Sequence, residues 1–369
     1  MDHAPLRFPN ADSLQPHHPS QWWYWSGRLT ASSGECFGLK LSFFTAEAIR
    51  GVLWGSMVHA ALIDLGTGRC VRSSRQWLGA PRRIEGRFDL ASPDRALRAL
   101  GGDGRDRLVL RLGGYQVDLA LCAEREPLCH YRGDAHAYDF GGYSYQYSRP
   151  RMSAGGALID PAGNSMKVRG VVWFDRQIGA LASALYQGWQ WFALHLDAGD
   201  LMLFDFHGAP AERFAVWLDA QGASRGFSSD EVRLQALGSW QSPWTGILYP
   251  RAFCLETPLH RLRITPCAPD QEMQGRRWIG PAYWEGICSI SGTHQGTGYA
   301  ELVGSIAPLL EPLRSVPRLR RWLENPAAAL AVVTALGRSC RSLPWLRPSF
   351  PTPGQAGRAT DESNVEVYA

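Results

Sequence analysis

The chain has 369 residues, of which 45% are hydrophobic and 20% charged, and its formal net charge is +4. That length points to two domains rather than one small core, and the balance is that of an ordinary soluble globular protein. A charge so small and so scattered excludes the clustered basic footprint a nucleic-acid partner needs.

Fifteen residues are Trp, and aromatic side chains in such number bury large areas and line pockets for flat or greasy ligands. Residues 1–20 form a polar, proline-containing lead-in without the apolar run of a signal peptide. Together with the absence of any stretch near the ~20 apolar residues of a membrane span, this leads to the expectation of a cytoplasmic protein. The eight cysteines are scattered with no C-x-x-C pair and read as free thiols.

From QWWYWSGRL onward the chain reads as strands. Two aromatic runs joined at Ser33-Gly34 predict a hairpin. Met57–Asp64 and Arg69–Leu78 predict another, and short strands follow at Gly86–Leu90, Arg107–Leu112 and Tyr115–Leu121. In GGYSYQYSRP, Tyr143, Tyr145 and Tyr147 alternate with polar residues, which puts three phenols on one strand face. VRGVVWFDRQIG is a strand in which Trp173, Asp175 and Gln177 share one face and Val172, Phe174 and Arg176 the other.

GWQWFALHLDAGDLMLFDF predicts a hairpin turning at Asp197–Asp200, with Trp189 and Trp191 on one face. Later strands are expected around Arg233–Trp240, His260–Pro266, Tyr283–Ser291 and Tyr299–Ser305. From Ile306 the character turns to Pro-punctuated, Arg-bearing helical stretches, whose apolar part reads as a helix docked on the barrel, with lying on a membrane surface as the alternative. The expected fold is all-β, two barrel or sandwich domains packed together with a C-terminal helical segment. Its parts are the lead-in (1–20), domains over 21–180 and 181–305, a helical extension (306–347) and a disordered tail (348–369).

The histidines show no metal-ligand spacing, no protease-type cysteine surround or serine nucleophile elbow is read from the chain, and no phosphate-binding glycine loop occurs. Neither a metal nor a cofactor is expected. What remains is acid–base chemistry in an aromatic pocket, led by Asp175. A carboxyl group walled by rings loses hydration and its pKa rises. The protonated acid beside electron-rich rings suits protonation of an alkene, since the rings stabilise a developing carbocation by about 2 kcal/mol when desolvated. If Arg176 folds back onto Asp175 the pair is structural instead, although strand alternation points the two apart.

Glu285 shares a strand face with Tyr283, a second carboxylate beside a ring, and is as readily a core residue. His59 reads as a core histidine, Arg28 as structural, and Gln271-Glu272 as a turn or barrel-closing contact.

The motifs HPSQWWYWSGRL, MVHAALIDLGTGR, YSYQYSRPRMSAGGAL, VRGVVWFDRQIG, GWQWFALHLDAGDLMLFDF, DQEM and YWEGICSISGTHQGTGYAELVG, in this order, resemble the carotenoid hydratase (hydroxyneurosporene synthase) and AttH-like superfamily from His17 to Gly304. The resemblance implies two lipocalin-like β-domains with a ligand site at their junction. It also implies cofactor-free addition of water to a C=C, with the acid of the W/Y-x-D motif falling on Asp175 and its aromatic on Trp173. Tyr145 and Tyr147 match the strand that supplies pocket residues. Carotenoid hydratases carry Asp-His at this motif, whereas Asp175-Arg176-Gln177 is closer to the Asp-Arg-Glu of AttH-like members.

The expected function is therefore a hydro-lyase acting on a hydrophobic polyene or terpenoid. Asp175 is the acid, and Tyr145, Tyr147, Trp173, Gln177, Trp189, Trp191, Tyr283 and Glu285 line the pocket. A cyclase or isomerase that merely folds its substrate and a non-catalytic carrier of hydrophobic ligands are the alternatives. The partner is a hydrophobic small molecule, with membrane contact through the C-terminal helices as a further option.

Overall fold

A computed structural model describes residues 5–49, 52–181, 188–207, 212–273 and 282–304. The helical extension and tail expected beyond residue 305, with their membrane option, lie outside these residues. Among the described residues the helices are two 3-10 turns, Asn10–Asp12 and His130–Gly133, and no helix is long and apolar enough to cross a membrane.

The architecture is all-β. The first group of strands is β1 (Ser20–Ala31), β2 (Cys36–Ile49), β3 (Leu53–Asp64), β4 (Cys70–Leu78), β5 (Phe88–Ala91), β6 (Leu97–Gly102), β7 (Arg105–Leu112), β8 (Tyr115–Ala123), the two-residue β9 (Leu128–Cys129) and β10 (His136–Ala137), and the long β11 (Tyr143–Ile159) and β12 (Ser165–Ala180). They form one antiparallel sheet ordered β4-β3-β2-β1-β12-β11-β8-β7-β6-β5, with β9 and β10 beside β11. The second group is β13 (Trp189–Leu196), β14 (Gly199–Phe206), β15 (Glu212–Asp219), β16 (Ser224–Phe227), β17 (Arg233–Gln241), β18 (Leu248–Glu256), β19 (Arg261–Pro266), β20 (Glu272–Met273), β21 (Tyr283–Gly292) and β22 (Gly296–Val303). Their order is β16-β15-β14-β13-β22-β21-β19-β18-β17, with β20 beside β21.

The two sheets share a connectivity. In each, a four-strand meander runs outward from the first strand, and that first strand pairs on its other side with the last (β1 with β12, β13 with β22). Strands β6, β15, β16 and β18 and the two-residue β9, β10 and β20 add to those read from the sequence. Leu97–Gly102 ends in two glycines and Leu248–Glu256 carries a proline, so neither shows a clean alternation.

Each sheet curls around its own core. Trp23, Trp25, Leu41, Leu110, Val172 and Phe174 belong to the first core, and Phe192, Leu194, Phe253 and Trp284 to the second. The alternate residues of the same strands, among them Tyr24, Trp173, Trp191, Phe204 and Tyr283, pack into a third cluster between the sheets. The central strands are thus buried on both faces, which is where the unusual tryptophan content is used. Gly38 lets the sheets approach: a Cβ there would come within 2.9 Å of the Ile287 side chain and of the Tyr299 hydroxyl from the opposite sheet.

Candidate active site at the seam

Antiparallel register puts directly opposed residues on one face. Ser148, Asp175, Tyr24, Ser42 and His59 stand opposite one another in turn along β11, β12, β1, β2 and β3. A row of polar side chains therefore crosses five strands on the face that the first sheet turns toward the second. All five are buried, and Ser148 is fully so.

Asp175 is the centre of this row. Its Oδ1 accepts from Trp173 Nε1 at 2.7 Å and from the Ser148 hydroxyl, and Oδ2 accepts from Gln146 Nε2 at 3.4 Å. His130 Nε2 lies 2.8 Å from Ser148 Oγ on its far side; burial holds the His130 pKa near 3, so the imidazole is neutral. Loss of hydration pushes the Asp175 pKa up to about 7 against the pull of its three hydrogen-bond donors. Among the described residues no cation pairs with it.

Arg176 points the other way, as alternation requires. Its guanidinium stacks 3.7 Å from the centre of the Trp23 ring. It donates to the carbonyls of Ser13 at 2.9 Å and Trp22 at 3.0 Å and to Gln21 Oε1 at 2.7 Å, which ties the lead-in to the first sheet.

The second sheet faces this row with acids of its own. Glu301 on β22 stands between Trp191 on β13 and Glu285 on β21, accepts from Trp189 Nε1 at 2.9 Å, and has its pKa raised to about 8 by burial, by Glu285 and by Asp175. Lys40, fully buried on β2 of the first sheet, forms an ion pair with Glu285. Ring contacts close the seam: Tyr24 with Trp191 at 5.0 Å and Trp22 with Trp189 at 6.4 Å, both edge-on. Edge-on geometry matches the ring quadrupoles. A crevice with room for about 10 Å³ opens beside Trp173, His195 and Tyr299, about the space of one water.

Among the residues read from the sequence, the structure brings Asp175, Trp173, Trp189, Trp191, Tyr283 and Glu285 into this seam. Gln177 lies on the same strand face with its amide 3.4 Å from Tyr138 and Ser144 hydroxyls.

Tyr145 and Tyr147 do not face Asp175. They stand opposite Ile178 and Arg176, so the pleat turns them to the other side of the sheet and leaves Ser144, Gln146 and Ser148 facing the seam. The Tyr147 hydroxyl donates to Asp12 at 2.5 Å inside the first core, and Tyr145 packs on His18 with ring centres 5.5 Å apart.

His59 is a seam residue as well as a core one. Gln271 caps backbone groups of Ala268 and Ile287, and Glu272 accepts from Ser242, Thr245 and Tyr249, so this pair closes the second sheet. Gly222-Ala223-Ser224-Arg225-Gly226 has the G-x-S-x-G spacing. It lies at a hairpin leading into β16 with Ser224 exposed, without the strand-to-helix turn of a nucleophile elbow.

Lys40, Glu301 and Ser148 were not singled out from the sequence. The available signals were faint: one of only two lysines placed inside an apolar strand, and an acid two residues from a tyrosine. Among the described residues no three His, Cys, Asp or Glu side chains are grouped to hold a metal.

The chain belongs to the AttH-like family, whose profile matches residues 1–305. No curated protein matches it. Among solved structures it is similar to an AttH protein from Nitrosomonas europaea, with 24% identity over 83% of this chain and 99% of that one and a TM-score of 0.74. It is also similar to kievitone hydratase from Nectria haematococca, with 17% identity over 82% and 94% of the two chains and a TM-score of 0.65. At these identities the likeness is one of fold, the two lipocalin-like sheets.

Proposed function

We propose that this protein is a cofactor-independent hydratase that adds water across a C=C of a hydrophobic polyene or terpenoid, an acyclic carotenoid being the example its motifs suggest. The observation that carries this reading is the Asp175 carboxyl: buried among rings, held by three neutral donors, and poised to keep its proton up to about pH 7. A general acid works best when its pKa lies near the working pH. One protein of the same fold is a kievitone hydratase, and the present reading gives this chain the same class of reaction.

Asp175 transfers its proton to one alkene carbon. The cation left on the other carbon is stabilised by the faces of Trp173, Trp191 and Tyr24, while Ser148 and Trp173 hold the new carboxylate. A water adds to the cation and returns a proton to Asp175, which restores the acid. Because the crevice has room for about one water, the seam must part to admit the substrate; Trp22, Trp189, Tyr283 and Gln177 would then line the site, and the Glu285–Lys40 pair would keep its far side polar.

The test is Asp175→Asn, which removes the proton and preserves the shape. Hydration of a polyene substrate should fall by about a thousandfold or more, while binding, read by quenching of the seam tryptophans, stays within about threefold. Retained turnover would point to a cyclase or isomerase that works by proximity. Binding with no turnover in the wild-type protein would leave a carrier.

A further inference from the structure

A crevice joins the rim of the seam to the group that holds Asp175. It lies between Ser26–Arg28 on β1 of the first sheet and Thr297–Tyr299 on β22 of the second, with Trp173 and His195 on its walls, and has room for about 10 Å³. Arg28 is exposed and Trp173 buried, so the crevice runs inward from the surface. The indole at its inner end is the one whose Nε1 donates to Asp175 Oδ1 at 2.7 Å.

The proton on the His195 ring has a fixed place. Nε2 lies 2.7 Å from the Pro150 carbonyl oxygen, which can only accept, so Nε2 carries the proton. Burial lowers the His195 pKa below its ordinary value, and the neutral ring presents a bare lone pair at Nδ1. Among the described residues no donor reaches that nitrogen. The Asp200 carboxylate opposite it on β14 is taken by Arg151 at 2.9 Å instead.

A space of this size suits one water, and an ordered water needs several polar partners. Nδ1 is one, and Ser26, Arg28, Thr297 and Tyr299 bring polar groups to the same walls. We infer that the crevice is the water site of the seam and that His195 is a positioning residue, holding the nucleophilic water through Nδ1. The inference rests on the hydratase reading and deepens it. A water that donates one proton to Nδ1 keeps an oxygen lone pair free. When the cation forms beside Trp173, that pair makes the C–O bond, and the proton shed by the oxygen passes to the Asp175 carboxylate. His195 keeps none of it, because burial makes the ring a poor base.

Heavy water separates capture by water from protonation. Deuterated Asp175 gives a deuteron to the alkene, and the cation has two fates. It is captured as alcohol, or it loses a proton back to the carboxylate and returns as deuterium-bearing alkene. With lycopene in detergent micelles as the probe, mass spectrometry of product and recovered substrate gives the ratio of hydration to exchange. A merely structural defect lowers both together. His195→Phe should lower the ratio about five- to tenfold. His195→Leu, which is smaller, should do the same and carries the test should His195→Phe not fold by circular dichroism. His195→Asn also loses the Pro150 bond but keeps an acceptor oxygen in the place of Nδ1, so its ratio should stay within about twofold of the wild type.

An unchanged ratio in a folded His195→Phe or His195→Leu overturns the water site and leaves the Asp175→Asn experiment standing. An equal fall in His195→Asn traces the effect to the Pro150 bond and overturns it too. Wild-type protein that neither hydrates nor exchanges lycopene overturns both readings.

Discussion

Two aspartates are buried on opposite faces of the same sheet, and their surroundings differ in kind. Asp12, inside the first core, accepts two hydrogen bonds from the Arg149 guanidinium at 2.8 and 3.0 Å, another from Tyr147 at 2.5 Å and a fourth from the Asp103 backbone at 2.8 Å. It is an anion with every lone pair engaged, and it fastens the lead-in segment to β11. Asp175, in the seam, has neutral donors only. The same residue type is thus a fastening where a cation meets it and, on the proposed reading, a proton donor where none does. The difference lies in the strand pleat: Tyr147 and Arg149 point into the first core, while Ser148 between them points into the seam.

Changes on either side should therefore have effects of different kinds. The largest is the loss of turnover in Asp175→Asn, with stability maintained. On the other face, Arg149→Ala leaves Asp12 as an uncompensated buried charge and should cost about 3–5 kcal/mol of folding stability, read as a lowered midpoint in urea; a loss below about 1 kcal/mol would put Asp12 in the same category as Asp175.

pH sharpens the contrast. The pKa of Asp175 is raised from 3.8 to about 7, so between these values the folded protein holds a proton that the unfolded chain has released. The stability this contributes is complete below about pH 4 and declines as pH rises toward 7. Asp175→Asn cannot ionise, so its Tm should exceed that of the wild type at pH 8, and the advantage should shrink toward pH 4. Activity that needs the protonated acid should fall above pH 7 in the wild type. The smallest effect belongs to Tyr147→Phe. Losing one hydrogen bond to Asp12 should cost about 1–2 kcal/mol, and turnover should stay within about twofold. A large drop in turnover would mean that the seam senses the core behind it.

Much of this was legible in the chain itself. Alternation in VRGVVWFDRQIG assigned Trp173 and Asp175 to one face and Arg176 to the other, because the pleat leaves no freedom within a strand. Alternation also grouped Tyr143, Tyr145 and Tyr147, but it could not say which side of the sheet they take. That depends on register with β12, where Ser148 rather than Tyr147 stands opposite Asp175. The cluster of Lys40, His59, Tyr283, Glu285 and Glu301 was hidden for a stronger reason. Its members come from strands far apart in the chain, 243 positions in the case of Lys40 and Tyr283, and only the packing of two sheets brings them together. The shared connectivity of the sheets leaves no periodic pattern in the sequence, since the corresponding strands differ in length and residues.

The burial of Lys40 has a practical consequence. Of the protein's two lysines, Lys167 is exposed near the start of β12, whereas the Lys40 side chain is only 1% accessible. An amine-reactive reagent will modify Lys167 promptly, and Lys40 only when the two halves part. The ratio of the two adducts in a mass spectrum therefore becomes a clock for opening of the seam, with Lys167 as its internal standard.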